Sequence, residues 1–379
     1  MYAMSGKTIG IIGGGQLGRM LTLAAKPMGF DVIVLDPGEN APATHVGASQ
    51  IVGGLYDKKA LQQLVEQADY ITAEIEHMDA AALQELERLQ KPINPAPATI
   101  RLIQDKYKQK EFLRANGVAV ADFVAIESEA DAKKALNDFG GKMLLKTRHG
   151  AYDGRGNMVV KSPKDVKDAF KKFGDTPLYA EKFVPFTQEI AVMVARSTTS
   201  EVATYPVVQT IQQRNICLEV LAPAPVPESV IKQAMQLARK TAKLLKGAGT
   251  FGIEMFVTTN GKVLINEIAP RVHNSGHYTI EACRTSQFEQ HVRAVTGLPL
   301  GDTSMVTPAA VMINILGERD GPTQVTGLDN MLATPHTSVH IYGKSPTKVD
   351  RKMGHITATG ATVEQARKRA RSARKKLSI

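Results

Sequence analysis

Over the first hundred residues the apolar positions fall into short unbroken runs: Thr8-Ile-Gly-Ile-Ile12, Asp31-Val-Ile-Val-Leu35 and Tyr70-Ile-Thr-Ala73. Runs of this kind belong to strands covered on both faces. Segments with helical spacing separate them, around Gln16–Met28, Lys58–Gln67 and Asp79–Leu89, so the stretch predicts βαβ units and a parallel sheet. Asn94-Pro-Ala-Pro97 ends the pattern and marks a boundary. A charged helix is expected from Ala98 to Asn116. Strands at Val118–Ile126, Lys142–Thr147, Met158–Lys161 and Leu178–Phe183 follow, with helices Ser128–Phe139 and Pro163–Phe173 among them. Gln188–Ala195, Val202–Gln209 and Ile216–Ala222 alternate as in an antiparallel sheet, and a helix is expected over Glu228–Lys246. After Gly297-Leu-Pro299 the chain reads as a small third unit, with strands near Ala309–Leu316 and Ser338–Tyr342. The fold class is thus α/β in the first part and α+β in the rest.

The alternation is clearest in Gly252-Ile-Glu-Met-Phe-Val-Thr-Thr-Asn-Gly-Lys-Val-Leu-Ile-Asn-Glu267. Asn260-Gly261 between alternating apolar residues signals a hairpin closed by a two-residue type I′ turn. That turn pairs Thr259 with Lys262, Val257 with Leu264 and Glu254 with Glu267. Directly opposed side chains of like charge repel, so such a pair either raises one pKa or holds a cation. Oxygen ligands alone suit Mg²⁺. In a regular ladder Asn266 would point away from Glu267, which leaves its role open.

The composition, 43% hydrophobic and 22% charged, is that of a soluble globular protein, and 379 residues predict two to four domains. No apolar run is long enough to span a bilayer, and the start shows no signal-peptide layout. Cys217 and Cys283 fit no metal or redox spacing and read as reduced thiols of a cytoplasmic protein. The net charge of +10 hints at nucleic acid, but seven basic residues lie beyond Glu364, leaving +3 for the rest. Val363, Ala366, Ala370, Ala373 and Leu377 recur at helical spacing there, so the tail reads as a closing helix with a solvated basic face.

Four further motifs carry candidate chemistry. Gly13-Gly-Gly-Gln-Leu-Gly18 fits G-x-G-x-x-G after the first strand, with Asp36 ending the second, which admits a nicotinamide dehydrogenase as one reading. Glu74-Ile-Glu76 closes a later strand at the sheet edge where ligands of such folds bind. Lys146 precedes a glycine-rich turn, His149-Gly-Ala-Tyr-Asp-Gly-Arg-Gly-Asn157, of the kind that lies over phosphates. Pro270-Arg-Val-His-Asn-Ser-Gly-His277 puts a permanent cation and several donors beside the glutamate pair, which suits a small anion.

In this order these motifs resemble the ATP-grasp ligases and, within them, the 5-(carboxyamino)imidazole ribonucleotide synthetases. The carrying segments are Gly13–Arg19, Ala73–Glu76, Tyr152–Gly156, Asn266–His277 and Arg351-Lys-Met-Gly-His355. The resemblance implies a Rossmann-like domain over 1–97, an ATP-grasp domain over 98–298 (lobes 98–183 and 184–298), and a C-terminal domain over 299–379. It implies ATP-dependent carboxylation of 5-aminoimidazole ribonucleotide (AIR) with bicarbonate through carboxyphosphate, Mg²⁺ on Glu254 and Glu267, and a homodimer without nucleic-acid or membrane partners. Lys106, Lys146, Tyr152, Asp153, Gly154, Arg155, Gly156, Asn157, Glu181, Lys182, Phe183, Val184, Glu189, Asn266 and Glu267 would surround ATP. Gln16, Leu17, Glu76, Asn274, Ser275, Lys344, Arg351 and Lys352 would hold the ribonucleotide. Arg271, His273 and Tyr152 would serve the chemistry. Two departures are visible: glutamine at 212–213 where many members carry histidine, and lysine at 106 where arginine is common. A sister ligase using formate or glycine is the alternative.

Overall fold

The computed structural model describes residues 6–150 and 156–379. The first strands, β1 (Thr8–Ile12), β2 (Asp31–Asp36), β3 (Ser49–Val52) and β4 (Tyr70–Ala73), form a parallel sheet in the order β3-β2-β1-β4. Alternate residues of the apolar runs feed two cores. Ile33 and Leu35 meet Leu61 and Leu64 of helix Lys58–Gln67, while Val32 and Val34 meet Met20 and Leu21 of helix Gln16–Ala25. β3 has no counterpart in the sequence reading because it is an edge strand with one buried residue, so no apolar run marks it.

β5 (Phe123–Ile126), β6 (Met143–Thr147), β7 (Asn157–Val160) and β8 (Leu178–Lys182) make a second, antiparallel sheet in the order β5-β8-β6-β7. Helices Glu129–Asp138 and Pro163–Phe173 bury their apolar stripes on it. The single helix expected over 98–116 is in fact two, Pro97–Gln104 and Lys106–Ala115. Asp105 leaves the helical region, and its carboxylate caps the second helix by accepting the Tyr107 and Lys108 N–H groups.

The remaining strands are β9 (Phe186–Arg196), β10 (Val202–Thr204), β11 (Val208–Gln213), β12 (Ile216–Ala222), β13 (Gly249–Thr258), β14 (Val263–Ala269), β15 (Ala309–Leu316), β16 (Thr337–Ile341) and β17 (Lys352–Gly360). They share one sheet, β14-β13-β9-β11-β12-β15-β17-β16, with β10 beside β9. Because β15 pairs with β12, the C-terminal strands continue the sheet of the preceding lobe. The tail helix Val363–Arg374 packs Ala366 and Ala370 onto that sheet. Its basic face is less solvated than expected: Arg367 and Arg371 both bond the buried Glu219, each at 2.6 Å, and Arg374 pairs with Glu318. Among the described residues no helix is long and apolar enough to cross a membrane.

The parallel sheet is fastened to the large sheet by His291 of helix Gln287–Thr296. Its Nδ1 accepts the Thr250 N–H at 3.0 Å, and its Nε2 lies 2.7 Å from Thr72 Oγ1 on β4. The C-terminal edge of β4, the start of β13 and that helix therefore meet at one place, where the functional loops converge.

Candidate active site

β13 and β14 form the hairpin, with Glu254 opposite Glu267, though not by the expected route. Val257 pairs with Val263 and Phe256 with Leu264, so the closing loop is longer than a two-residue turn, and Thr258 N–H bonds Lys262 O. The Thr258 hydroxyl, bonded to Asn260 and to Lys262, stabilises that longer loop. A bulge between Met255 and Glu254 then returns the register by one residue. Asn266 is the inserted residue. Since Val263, Ile265 and Ile268 enter the core below, Asn266 and Glu267 both lie on the other face with Glu254. This corrects the regular ladder, in which Asn266 would point away from Glu267.

Burial, the facing Glu267 and then Glu189 push the Glu254 carboxyl up to about 7. Lys106 Nζ sits 2.9 Å from Glu267 Oε1. Two opposed carboxylates and an amide on one face, all oxygen donors, fit a hard divalent cation. Lys106 is aimed there by its helix start: Arg148 forks onto the capping Asp105 at 3.1 and 2.5 Å, and Lys106 N–H bonds Arg148 O.

The loop after β14 supplies a permanent cation, Arg271, and a neutral imidazole, His273. Arg271 grips Glu76 through Nε at 2.5 Å and Nη2 at 3.1 Å. Burial opposes ionisation of Glu76, but the guanidinium brings its carboxyl down to about 2. His273 lies 3.6 Å by Nε2 from Glu254 Oε1. Burial, with Arg271 and Lys352 nearby, holds its imidazole down at about 3. Nδ1 accepts the Ser275 N–H, so the neutral ring keeps its proton on Nε2, toward Glu254. Asn274 exchanges amide bonds with the buried Asn314, and Ser275 Oγ lies 2.9 Å from His273 Nδ1.

In the second sheet Glu181 is buried and turned inward, 3.2 Å from Lys146 and 3.5 Å from Lys110. Its carboxylate is therefore committed to two lysines, while Lys182, Phe183 and Val184 run on toward β9. Glu189 of β9 is directly opposite Phe256, so it shares the face of Glu254. Gly156 O accepts the Thr147 N–H and Asn157 pairs with Lys146, so β6 and β7 are bonded up to Gly156. Tyr152, Asp153, Gly154 and Arg155 lie outside the described residues. A cleft of about 210 Å³ runs between Glu76, Lys106, His149, Gly150 and Glu267.

The first glycine turn behaves differently from the dinucleotide reading. Glu74, not a ligand, occupies its amide nest and accepts the Gly15 and Gly18 N–H groups. A Cβ on Gly13 or Gly15 would come within 2.5 or 2.7 Å of that side chain, so these glycines are required by an internal carboxylate. A pyrophosphate would have to displace a group of its own charge. Gln16 and Leu17 open the helix just beyond. Lys344 stands close enough to bear electrostatically on Glu74, and Lys352 on Glu254 and His273; Arg351 bonds Pro346 O.

Glu281, His340 and His355 form a separate cluster with ligating atoms within 4.8 Å of one another. His340 Nε2 lies 2.6 Å from Glu281 Oε1, and the His340 and His355 rings stack at 4.5 Å and 15°. Stacked rings send their in-plane lone pairs side by side, not to a common point, so we assign no metal there.

Three family models cover this arrangement in chain order: a ribonucleotide synthetase preATP-grasp domain over 6–104, an ATP-grasp domain over 111–288, and a phosphoribosylaminoimidazole carboxylase C-terminal domain over 310–369. The phosphoribosylaminoimidazole carboxylase of Ogataea methanolica is 47% identical over 97% of the chain, which spans 69% of that relative's length. The N5-carboxyaminoimidazole ribonucleotide synthase of Synechococcus elongatus is 41% identical over 92% of this chain and 88% of its own. The chain belongs to the N5-carboxyaminoimidazole ribonucleotide synthase family. Among solved members, the Aspergillus clavatus enzyme in complex with ADP and 5-aminoimidazole ribonucleotide superposes with a TM-score of 0.90, at 37% identity over 98% of each chain. An N5-carboxyaminoimidazole ribonucleotide synthase is an ATP-grasp ligase of purine biosynthesis, and this removes the dehydrogenase reading that the occupied glycine turn already disfavours.

The fold brings together Glu254, Glu267, Asn266, Lys106, Arg271 and His273, and it sets Glu76 on Arg271. Lys110, Asn314 and Gln287 are residues of this region that sequence reasoning missed, and Glu74, read as a carboxylate at the ligand edge of the sheet, instead fills the first glycine turn. Lys110 is buried within a charged helix and bonds Ile265 O at 3.2 Å, and no periodicity distinguishes it from its solvated neighbours.

Proposed function

We propose that the chain couples ATP cleavage to the carboxylation of 5-aminoimidazole ribonucleotide with bicarbonate, giving N5-carboxyaminoimidazole ribonucleotide, ADP and phosphate. The reading is carried by the bulged pair Glu254 and Glu267, with Asn266 on the same face and Lys106, Arg271 and His273 around it. A hairpin that merely faced water would have no reason to bury one carboxyl against another.

Glu254 and Glu267, with the Asn266 amide, would hold Mg²⁺, which when bound offsets charge on the transferring phosphoryl group. Lys106 and Lys146 reach the phosphates, each drawn in the free protein by a carboxylate that a phosphate can replace as partner. The backbone of 182–184 reads the adenine edge, and Glu189 takes ribose hydroxyls. Arg271 and His273 orient bicarbonate: the permanent cation binds the anion and the neutral imidazole donates its Nε2 proton to an oxygen. Carboxyphosphate forms there and its carboxyl passes to the exocyclic amine. Gln16, Leu17, Asn274, Ser275, Lys344, Arg351 and Lys352 hold the ribonucleotide, with Glu76 contributing through Arg271. The glycine-rich turn, with Tyr152, Asp153, Gly154 and Arg155, covers the phosphates and keeps water from the intermediate.

The test is an ADP-release assay with ATP and Mg²⁺, omitting ribonucleotide and bicarbonate in turn. Full turnover should need both. Release that depends on formate or glycine in place of bicarbonate would assign the chain to a sister reaction.

A further inference from the structure

The His273 backbone is clamped by a side chain from another element. Gln287, the first residue of helix Gln287–Thr296, accepts the His273 N–H through Oε1 at 2.9 Å and donates from Nε2 to His273 O at 2.8 Å. One amide group thus offers His273 the same acceptor and donor that a neighbouring strand would. Its Nε2 also lies 3.0 Å from His277 Nδ1. Gln287 is itself held: its N–H bonds Thr279 Oγ1 at 2.9 Å, its carbonyl accepts from Thr250 Oγ1 at 3.3 Å, and it has no exposed surface.

His273 cannot drift to either side. A Cβ on Gly252 would stand 2.5 Å from His273 Cβ, and a Cβ on Gly276 would stand 2.4 Å from Gln287 Oε1. The backbone of His273 is wedged between β13 and the Gln287 amide at closest packing. The imidazole leaves that wedge with Nε2 3.6 Å from Glu254. We infer that Gln287 is the positioning residue for His273, fixing the ring against the Glu254–Glu267 pair. This rests on the role given to His273 above.

Gln287→Leu keeps the volume and removes all three side-chain bonds. Repairing the orphaned His273 groups needs a shift of the loop, and about 1 Å of misplacement costs on the order of a hundredfold in rate. The expected result is a kcat roughly a hundredfold lower, with KM for ATP and for the ribonucleotide within about threefold of wild type. Gln287→Glu, which retains only the acceptor, should fall between the two and serves if the leucine variant does not fold. The deciding measurement is a double-mutant cycle with His273→Ala, assayed below the unfolding temperature of every variant. A residue acting through His273 adds almost nothing to the loss already caused by His273→Ala. Equal fold-losses in both backgrounds, or wild-type kcat in both Gln287 variants, would overturn the inference while leaving His273 in place. Wild-type kcat in His273→Ala would overturn the reading of His273 and this inference with it.

Discussion

At neutral pH the protonation of Glu254 and His273 departs from the ordinary behaviour of both groups. The carboxyl, pushed up to about 7 by burial and by Glu267, is half protonated, while the imidazole, held at about 3, is neutral. A cation seated between the carboxylates must expel the Glu254 proton. Binding of Mg²⁺ with nucleotide should therefore release about one proton per site near pH 6 and almost none at pH 8.5. Calorimetry in two buffers of different ionisation enthalpy measures this, with Glu254→Gln as the control. Equal release from wild type and Glu254→Gln would remove Glu254 from the metal site. The same shift has a sign in the metal-free protein. Below pH 4.5 both folded and unfolded chains carry the proton; between 4.5 and 7 only the unfolded one loses it, so this contribution to stability is lost as pH rises. The pair itself was legible in the sequence, because an Asn-Gly turn and two glutamates on one strand face are local facts. Lys110 and Gln287 were not, because what makes them unusual is burial created by distant elements.

Two compensating irregularities decide the elements of the site. The loop at Thr258–Lys262 shifts the hairpin by one residue, and the bulge at Asn266 shifts it back. Pattern reading predicted the right pairing of glutamates from the wrong turn, since alternation of side chains does not report an inserted residue. The break at Asp105 was hidden for a related reason: Gln104-Asp-Lys-Tyr-Lys has no proline or glycine, and only the cap interaction reveals it. That break has a consequence that can be tested. Asp105 both caps the helix and pairs with Arg148, so Asp105→Ala should cost about 1–2 kcal/mol and raise KM for ATP by releasing Lys106. Asp105→Asn keeps a capping oxygen and should cost less stability, though the ion pair is gone. Urea midpoints and KM for ATP separate the two. If both variants leave KM for ATP unchanged, the helix start does not position Lys106.

On the scale of the molecule, three sheets meet through buried polar groups, and their sequence signals were legible only as separate patterns. The tail shows what patterns omit: Arg367 and Arg371 look like a solvated face until Glu219, far away in β12, is seen between them. Removing residues 363–379 strips a nearly buried carboxylate of both partners, so the truncated chain should lose several kcal/mol of stability as well as its basic charge. Unchanged urea midpoints would return the tail to the status of a solvated appendage. A larger effect comes from the histidines that fasten the layers. Burial is the first cause of low pKa at His273 (about 3), His291 (about 4), His277 and His355 (both well below 6.5). The unfolded chain protonates each below about 6.5 while the folded chain holds it neutral, so stability falls as pH drops through this window. Linkage makes each worth roughly tenfold in the folding equilibrium per pH unit. Glu254, Glu74 and Glu189, whose carboxyls burial pushes up, work in the opposite direction, three groups against four, and Glu76 joins the loss only below pH 4.5, as its carboxyl approaches about 2. The urea midpoint should therefore fall, by the small net difference, between pH 6.5 and 4.5. His291 is the member to test, because it bonds Thr250 N and Thr72 Oγ1 and lies outside the loop that follows β14. His291→Gln supplies an acceptor and a donor that do not titrate, and it should lower the proton uptake on unfolding by about one. An unchanged pH slope in His291→Gln would show that this histidine already carries a proton in the folded layers.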